Sequence, residues 1–229
     1  MLHDDVAHPQ PPIRAALEHI ADSLHRLGHE VIPFEPPSHA HALTIWLSIM
    51  AQTAGGKIHE LCEDAGEPLV PEVAELMGEK RGDREPATAE EVWEQAEDRL
   101  AYTAEYDQAW NETAKRTQCK RPMDAILMPN TGVVAWERGG VNYFVGNVLH
   151  YSSVSMPLAK SGPVPQKTRD EFFNTTDEEV YHAYDPNKHN GMPIGIQLMG
   201  RRFQEEKVLA LAKIVQDAVV PGSPARAVL

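Results

Sequence analysis

Long apolar runs are missing from this sequence. No stretch approaches the ~18 consecutive apolar residues of a membrane-spanning helix. Basic residues are scarce as well, 21 Lys+Arg against 34 Asp+Glu, which leaves a net charge of −13 over 229 residues. That balance argues against a nucleic-acid partner, whose phosphates call for clustered Lys and Arg. Only two cysteines are present, Cys62 and Cys119. They cannot form a disulfide framework, so a reducing compartment or indifference to redox is expected. The N-terminus has no basic stretch followed by an apolar one, as a secretory leader would. The expected location is the cytoplasm.

What is present is enough chain for one large domain or two small ones, at ~150 residues per domain. Such a length can bury roughly 70% of its unfolded surface without staples. The negative charge is concentrated. Between Glu60 and Glu112 lie 17 acidic residues and four basic ones (Lys80, Arg81, Arg84, Arg99), a surplus equal to the whole net charge. These charges alternate with apolar residues at helical spacing, so the region reads as solvated helices flanking a loop rather than as a docking face.

The periodicity then lays out the elements. Pro11-Pro12 opens a helix, and Ile13, Ala16, Leu17, Ile20, Leu24 and Leu27 recur at three- and four-residue steps until Gly28. His29 to Phe34 reads as a short strand closed by Pro36-Pro37. Ser38 caps a second helix running towards Cys62 and loosened at Gly55-Gly56. A short helix is expected within 68–77 and a charged loop over 78–86. Thr88 and Glu91 form a capping box for a long helix, with Trp93, Ala96, Leu100, Thr103, Tyr106, Trp110 and Ala114 as its core stripe. Asp124 to Met128 is a buried strand running into the polar turn Pro129–Gly132, where α/β sheets commonly place ligands. Residues 141–151 suggest a helix, 154–159 a strand, and 160–188 an irregular stretch. Ile194, Ile196 and Leu198 alternate as a strand. A final helix from Gln204 carries Val208, Leu211, Ala212, Val215 and Val219 and stops at Pro221. The class is α/β.

Complete catalytic constellations are absent. Eleven histidines include His39-x-His41 and the pair His25/His29, but no third ligand at metal spacing accompanies them. Neither Gly55-Gly56 nor Gly139-Gly140 sits in a phosphate-binding strand-to-helix turn. No Gly-x-Ser-x-Gly elbow occurs, and Ser152, Ser153 and Ser155 near His150 read as hydrogen-bonded structure. No cofactor is implied.

Residues Asn190 to Ala210 (NGMPIGIQLMGRRFQEEKVLA) resemble the closing strand and helix of the amidase signature family, of the general amidase or acetamidase type found in fungi. Asp5 to Ala16, Gly28 to Pro37, Gly66 to Leu69, Asp124 to Pro129 and Tyr181 to Pro186 resemble the same family in the same order. The resemblance runs from about Asp4 to about Val219. It implies part of the mixed-sheet amidase fold with helices flanking the sheet, 1–229 forming a single region that matches the C-terminal half, with a flexible tail over 221–229. The resemblance also implies hydrolysis of a carboxamide to an acid plus ammonia or an amine. In the family this chemistry uses a lysine, a bridging serine and a nucleophilic serine, with backbone N–H donors for the oxyanion. No position here matches that triad. Lys57 follows Gly55-Gly56 but falls in the wrong segment.

The matched half corresponds to sheet and substrate-channel wall. On that basis Asn130, Tyr143, Phe144 and Asn147 are the expected substrate contacts. Where relatives have Pro-Ala, this chain has Ser152-Ser153, so the local turn is expected to differ. Two expectations follow. One is a truncated amidase acting on a small amide only when its missing half is present. The other is a non-catalytic interaction module that pairs with a separate N-terminal half or with a second copy.

Overall fold

The computed structural model describes residues 4–135 and 145–219. Helix α1 spans Pro11–Arg26 with Pro11 and Pro12 in its first turn, where a missing N–H costs nothing. It buries Ile13, Ala16, Leu17, Ile20 and Leu24, as its period requires. Leu27, the sixth residue of the expected stripe, is instead the exposed C-cap. Gly28 follows at φ +86°, a left-handed turn that glycine adopts without strain.

Residues 29–34 form no ladder. The stretch is tied by side chains instead: Gln118 N donates to Glu30 Oε1 at 2.9 Å, and Arg116 donates to the Pro33 carbonyl. The expected strand here is therefore corrected to extended chain without a β partner. Ser38 caps α2 (His39–Ala51), accepting from His41 N. The loosening at Gly55-Gly56 is a full break, and α3 (Gly56–Ala65) starts afresh after Gly55 at φ +67°. Helix α4 (Pro71–Met77) and a turn-rich charged loop follow.

The capping box at Thr88 and Glu91 starts α5 (Ala89–Glu112). A 3₁₀ turn over Thr113–Lys115 ends it. Tyr106 and Trp110 are buried as expected, but Trp93 is 71% and Leu100 63% exposed. The buried row is Tyr102, Tyr106 and Trp110, at four-residue steps, because only the C-terminal half of the helix enters the apolar core, while its first half meets α2 through polar contacts (His41 to Asp98, and the C-cap Gln52 to Gln95).

Strands β1 (Ile126–Pro129), β2 (Ser153–Lys160) and β3 (Pro193–Met199) form an antiparallel sheet in the order β1-β3-β2. Short helix α6 (Val145–Leu149) precedes β2, and α7 (Thr175–His182) lies within the stretch expected to be irregular. Helix α8 (Glu205–Val219) closes the described chain.

The period-2 alternation of β3 places its residues on two different faces. Ile194, Ile196 and Leu198 enter one core with Met156 of β2 and the apolar faces of α1 and α8. Met199, Met128 and Ile126 enter a second core with Tyr102, Tyr106, Trp110, Leu149 and Tyr151. The chain is thus helices on both sides of a small sheet, the expected α/β class. The expected tail 221–229 lies outside the described residues.

Candidate functional site: the open face of the sheet

The second face of the sheet is covered only in part. Helices α2, α5 and α6 cover Ile126, Met128 and Met199, and the face then opens onto Ser153 and Ser155 of β2, both exposed. Asn130, one residue beyond β1, continues the ladder through its backbone N–H to the Gly195 carbonyl at 3.1 Å. Its side chain reaches over Gly195 to β2, where Ser155 Oγ donates to Asn130 Oδ1 at 2.7 Å. The crossing is close: a Cβ at residue 195 would lie 3.2 Å from Asn130 Cβ, so Asn130 would have to give by a few tenths of an ångström. Gly146 plays the same part on the other side: a Cβ there would sit 3.1 Å from Ser153 Oγ and 3.7 Å from Gln197 Nε2. Around these two close-packed glycines, Asn130, Ser153, Ser155 and Gln197 share one face of the sheet as a polar shelf.

Of the expected substrate contacts, Asn130 lies on this shelf. Asn147 is exposed on α6, whose other four residues are buried. Tyr143 and Phe144 lie outside the described residues. Gln197 and the two glycines were not singled out in the sequence, and Ser155 was expected only as hydrogen-bonded structure, which its bond to Asn130 is. Their signal was the polar alternation within β3 and β2, visible once the apolar partners are assigned to the opposite face.

The shelf has the chemistry of recognition rather than of attack. Ser155 is committed as a donor to Asn130, leaving the Asn130 Nδ2 and the Gln197 amide as groups able to meet a carbonyl and an N–H. Ser152 is structural: its Oγ donates to Glu205 Oε1 at 2.8 Å and accepts from Gln204 N at 3.1 Å, fixing the start of α8. His150 offers no base to these serines, because its Nε2 accepts from Arg99 Nη1 at 2.7 Å. Burial, with Arg99 and Arg202 nearby, holds its pKa below the ordinary histidine value. Lys57 is exposed and paired with Glu60 at 2.6 Å. Among the described residues no serine is hydrogen-bonded to a histidine or lysine side chain, and the two bonded to carboxylates, Ser38 to Asp5 and Ser152 to Glu205, hold the starts of α2 and α8.

The histidine pair of α2 diverges. His39 is buried, with Nδ1 3.5 Å from Asp4 Oδ2 and Nε2 3.3 Å from the Tyr106 hydroxyl, whereas His41 faces outward to Asp98 at 3.1 Å. Among the described residues no group of three His, Cys, Asp or Glu side chains could hold a metal ion. No described helix is long and apolar enough to cross a membrane.

Comparison with known proteins places this geometry. The family model described as Amidase matches residues 1–209. An acetamidase of Aspergillus oryzae is 31% identical over 218 residues, covering 93% of this chain and 39% of that protein. An acetamidase of Emericella nidulans is 27% identical, covering 93% and 40%. The chain therefore spans about two-fifths of the length of these curated relatives. Among solved structures, fatty acid amide hydrolase superposes with a TM-score of 0.81 at 22% identity, over 96% of this chain and 39% of that one. A 6-aminohexanoate cyclic dimer hydrolase superposes with a TM-score of 0.59 at 17% identity, over 95% and 44%. The helix-flanked sheet is thus part of the amidase signature fold, and on the match of its sequence the chain belongs to the amidase family.

Proposed function

We propose that this chain is the C-terminal portion of an amide hydrolase, in which the sheet shelf holds the substrate's carboxamide while residues outside this chain supply the nucleophile and its base. The observation that carries the reading is the shelf itself. Asn130 and Gln197 present half-buried amide groups on the partly open sheet face, and no described serine is hydrogen-bonded to a histidine or lysine side chain. A carboxamide offers one acceptor and an N–H donor, which two amide side chains can match. In this reading Tyr143, Phe144 and Asn147 complete the channel wall, and catalysis by the chain alone is negligible, since oxyanion stabilisation is usually the largest single term in such chemistry.

The names of the curated relatives make acetamide the first substrate to test. The purified chain should release no ammonia from acetamide above buffer, and Ser153→Ala and Ser155→Ala should leave that result unchanged. Titrated acetamide should move the side-chain amide resonances of Asn130 and Gln197. Turnover by the chain that disappears in Ser153→Ala or Ser155→Ala would sink the division of labour. Unmoved resonances at saturating acetamide would sink the shelf.

A second reading, an interaction module that pairs with a separate N-terminal half or with a second copy, is favoured by the exposed Trp93 and Leu100 of α5. Sizing the purified chain tests it. A compact monomer with one cooperative unfolding transition favours a free-standing module, and a dimer favours self-pairing. A cytoplasmic location belongs with both readings and is supported by two free thiols, Cys62 and Cys119.

A further inference from the structure

A cleft of about 650 Å³ opens between the residues leading into α1, the first turns of α1, the 164–169 segment and α7. Its volume falls in the range that holds small organic ligands. One part of its wall is apolar, from Pro11, Ala15, Val164, Pro165 and Val180. The other part is cationic, and its charges are differently engaged.

Arg169 is committed to the fold. Its Nη2 donates to the buried carboxylate of Asp177 at 3.0 Å, and its guanidinium lies over the Phe172 ring at 4.6 Å and the Tyr181 ring at 5.3 Å. Arg14 uses only Nε, to Glu18 Oε1 at 3.1 Å, leaving both terminal nitrogens to solvent. The exposed Lys167 ammonium pairs with no carboxylate among the described residues, although its own carbonyl accepts from the Tyr181 hydroxyl at 3.4 Å. Glu18, the carboxylate in the cleft wall, is therefore already paired with Arg14, the buried Asp177 behind the wall is paired with Arg169, and Lys167 is in excess. An uncompensated cation at an apolar cleft is notable on a chain of net charge −13.

We propose that this cleft is a binding site for a small organic carboxylate, with the apolar body of the ligand against Pro165 and Val180 and its carboxylate between Lys167 and the free nitrogens of Arg14. Arginine presents a planar fork suited to carboxylate geometry, and lysine adds a point charge. The floor is held firmly: Gln166 Nε2 donates to the Tyr181 carbonyl at 3.0 Å, and Gln10 Nε2 donates to the Val180 carbonyl at 3.1 Å. Gln10 also joins the cleft to the loop after β1, since its Oε1 accepts from Val134 N at 2.8 Å and its backbone N–H donates to the Gly132 carbonyl at 2.9 Å. The site is distinct from the shelf and does not depend on amide hydrolysis.

The test is a calorimetric or NMR titration of the whole chain with benzoate, with neutral benzamide and with inorganic phosphate. Benzoate should bind, and Lys167→Ala and Arg14→Ala should each weaken it about fivefold, which corresponds to about 1 kcal/mol per contact. Both residues are exposed, so unchanged circular dichroism is expected alongside. Benzamide should bind at least tenfold more weakly (about 1.4 kcal/mol) for want of the charge. Equal affinity for benzamide, benzoate binding unaffected by both substitutions, or phosphate binding as tight as benzoate would each overturn the proposal, the last by showing that the apolar wall contributes nothing.

Discussion

Two polar clusters in this chain look alike in composition and differ in saturation. Around Asp177, a residue with 0% side-chain exposure, the carboxylate accepts from His8 N at 2.9 Å, from Arg169 Nη2 at 3.0 Å and from Phe173 N at 3.4 Å. His8 Nδ1 lies 3.0 Å from Oδ1, the oxygen that also meets His8 N and Arg169, and the Asn174 side-chain amide donates to the Asp5 and Val6 carbonyls. The group is nearly full, and it binds the entry to α1, the 164–174 segment and α7 into one body. On the sheet shelf, by contrast, Asn130 and Gln197 keep amide groups open towards solvent. Burial makes an unpaired polar group costly, so the interior cluster is saturated, whereas water satisfies the shelf until a ligand replaces it.

That contrast is sharpest under substitution. Asp177→Ala leaves Arg169 without its partner beside two rings and frees the His8 backbone N–H; the loss should be about 3 kcal/mol in urea unfolding. A loss below ~0.5 kcal/mol would show that the cluster carries no fold stability. Its acid response has a definite sign. Burial raises the Asp177 pKa, but the His8 backbone N–H, Arg169 and the His8 side chain together hold it below the ordinary carboxylate value of ~4. The stabilisation is therefore complete above that ordinary value and disappears as pH falls through the lower folded one. Stability measured from pH 6 to 2 should fall less steeply in Asp177→Asn than in the parent chain. Ser152→Ala, which removes one donor and one acceptor at the start of α8, should cost about 1 kcal/mol. Gln197→Ala and Ser155→Ala come last, within about 0.5 kcal/mol of the parent in stability, while abolishing the acetamide-induced shift at Asn130. A large stability loss from either would place the shelf among the structural clusters and break the comparison.

Legibility followed the same division between local and distant causes. The capping box of α5, the proline start of α1 and the alternation of Ile194, Ile196 and Leu198 were readable because each rests on neighbours in sequence. Residues 29–34 carry strand-like composition, yet a strand exists only where another pairs with it, and here Arg116 and Gln118 tie down the chain in its place. Helix α7 was missed although its signals are local: Asn174 accepts from Asp177 N at 2.8 Å, and Asp177 and Glu178 occupy the first turn. The polar character of the segment as a whole hid them. Within the site, Asn130 was legible from its place after a buried strand. Gln197, Gly195 and Gly146 were not, since their roles depend on which strands lie side by side.

The uneven burial of α5 has a dynamic consequence. A helix of 24 residues is about 36 Å long, and only its C-terminal half, with Tyr102, Tyr106 and Trp110, is anchored in the core. The half that carries Trp93 has a capping box at its start and little packing along its length, and isolated helical segments of that size are marginal in water. Amide hydrogen exchange along this one helix should therefore be graded, fast from Ala89 to about Leu100 and slow from Tyr102 onward. Whatever covers Trp93 would level that gradient, which makes deuterium uptake in the first three turns of α5 a direct reporter of assembly.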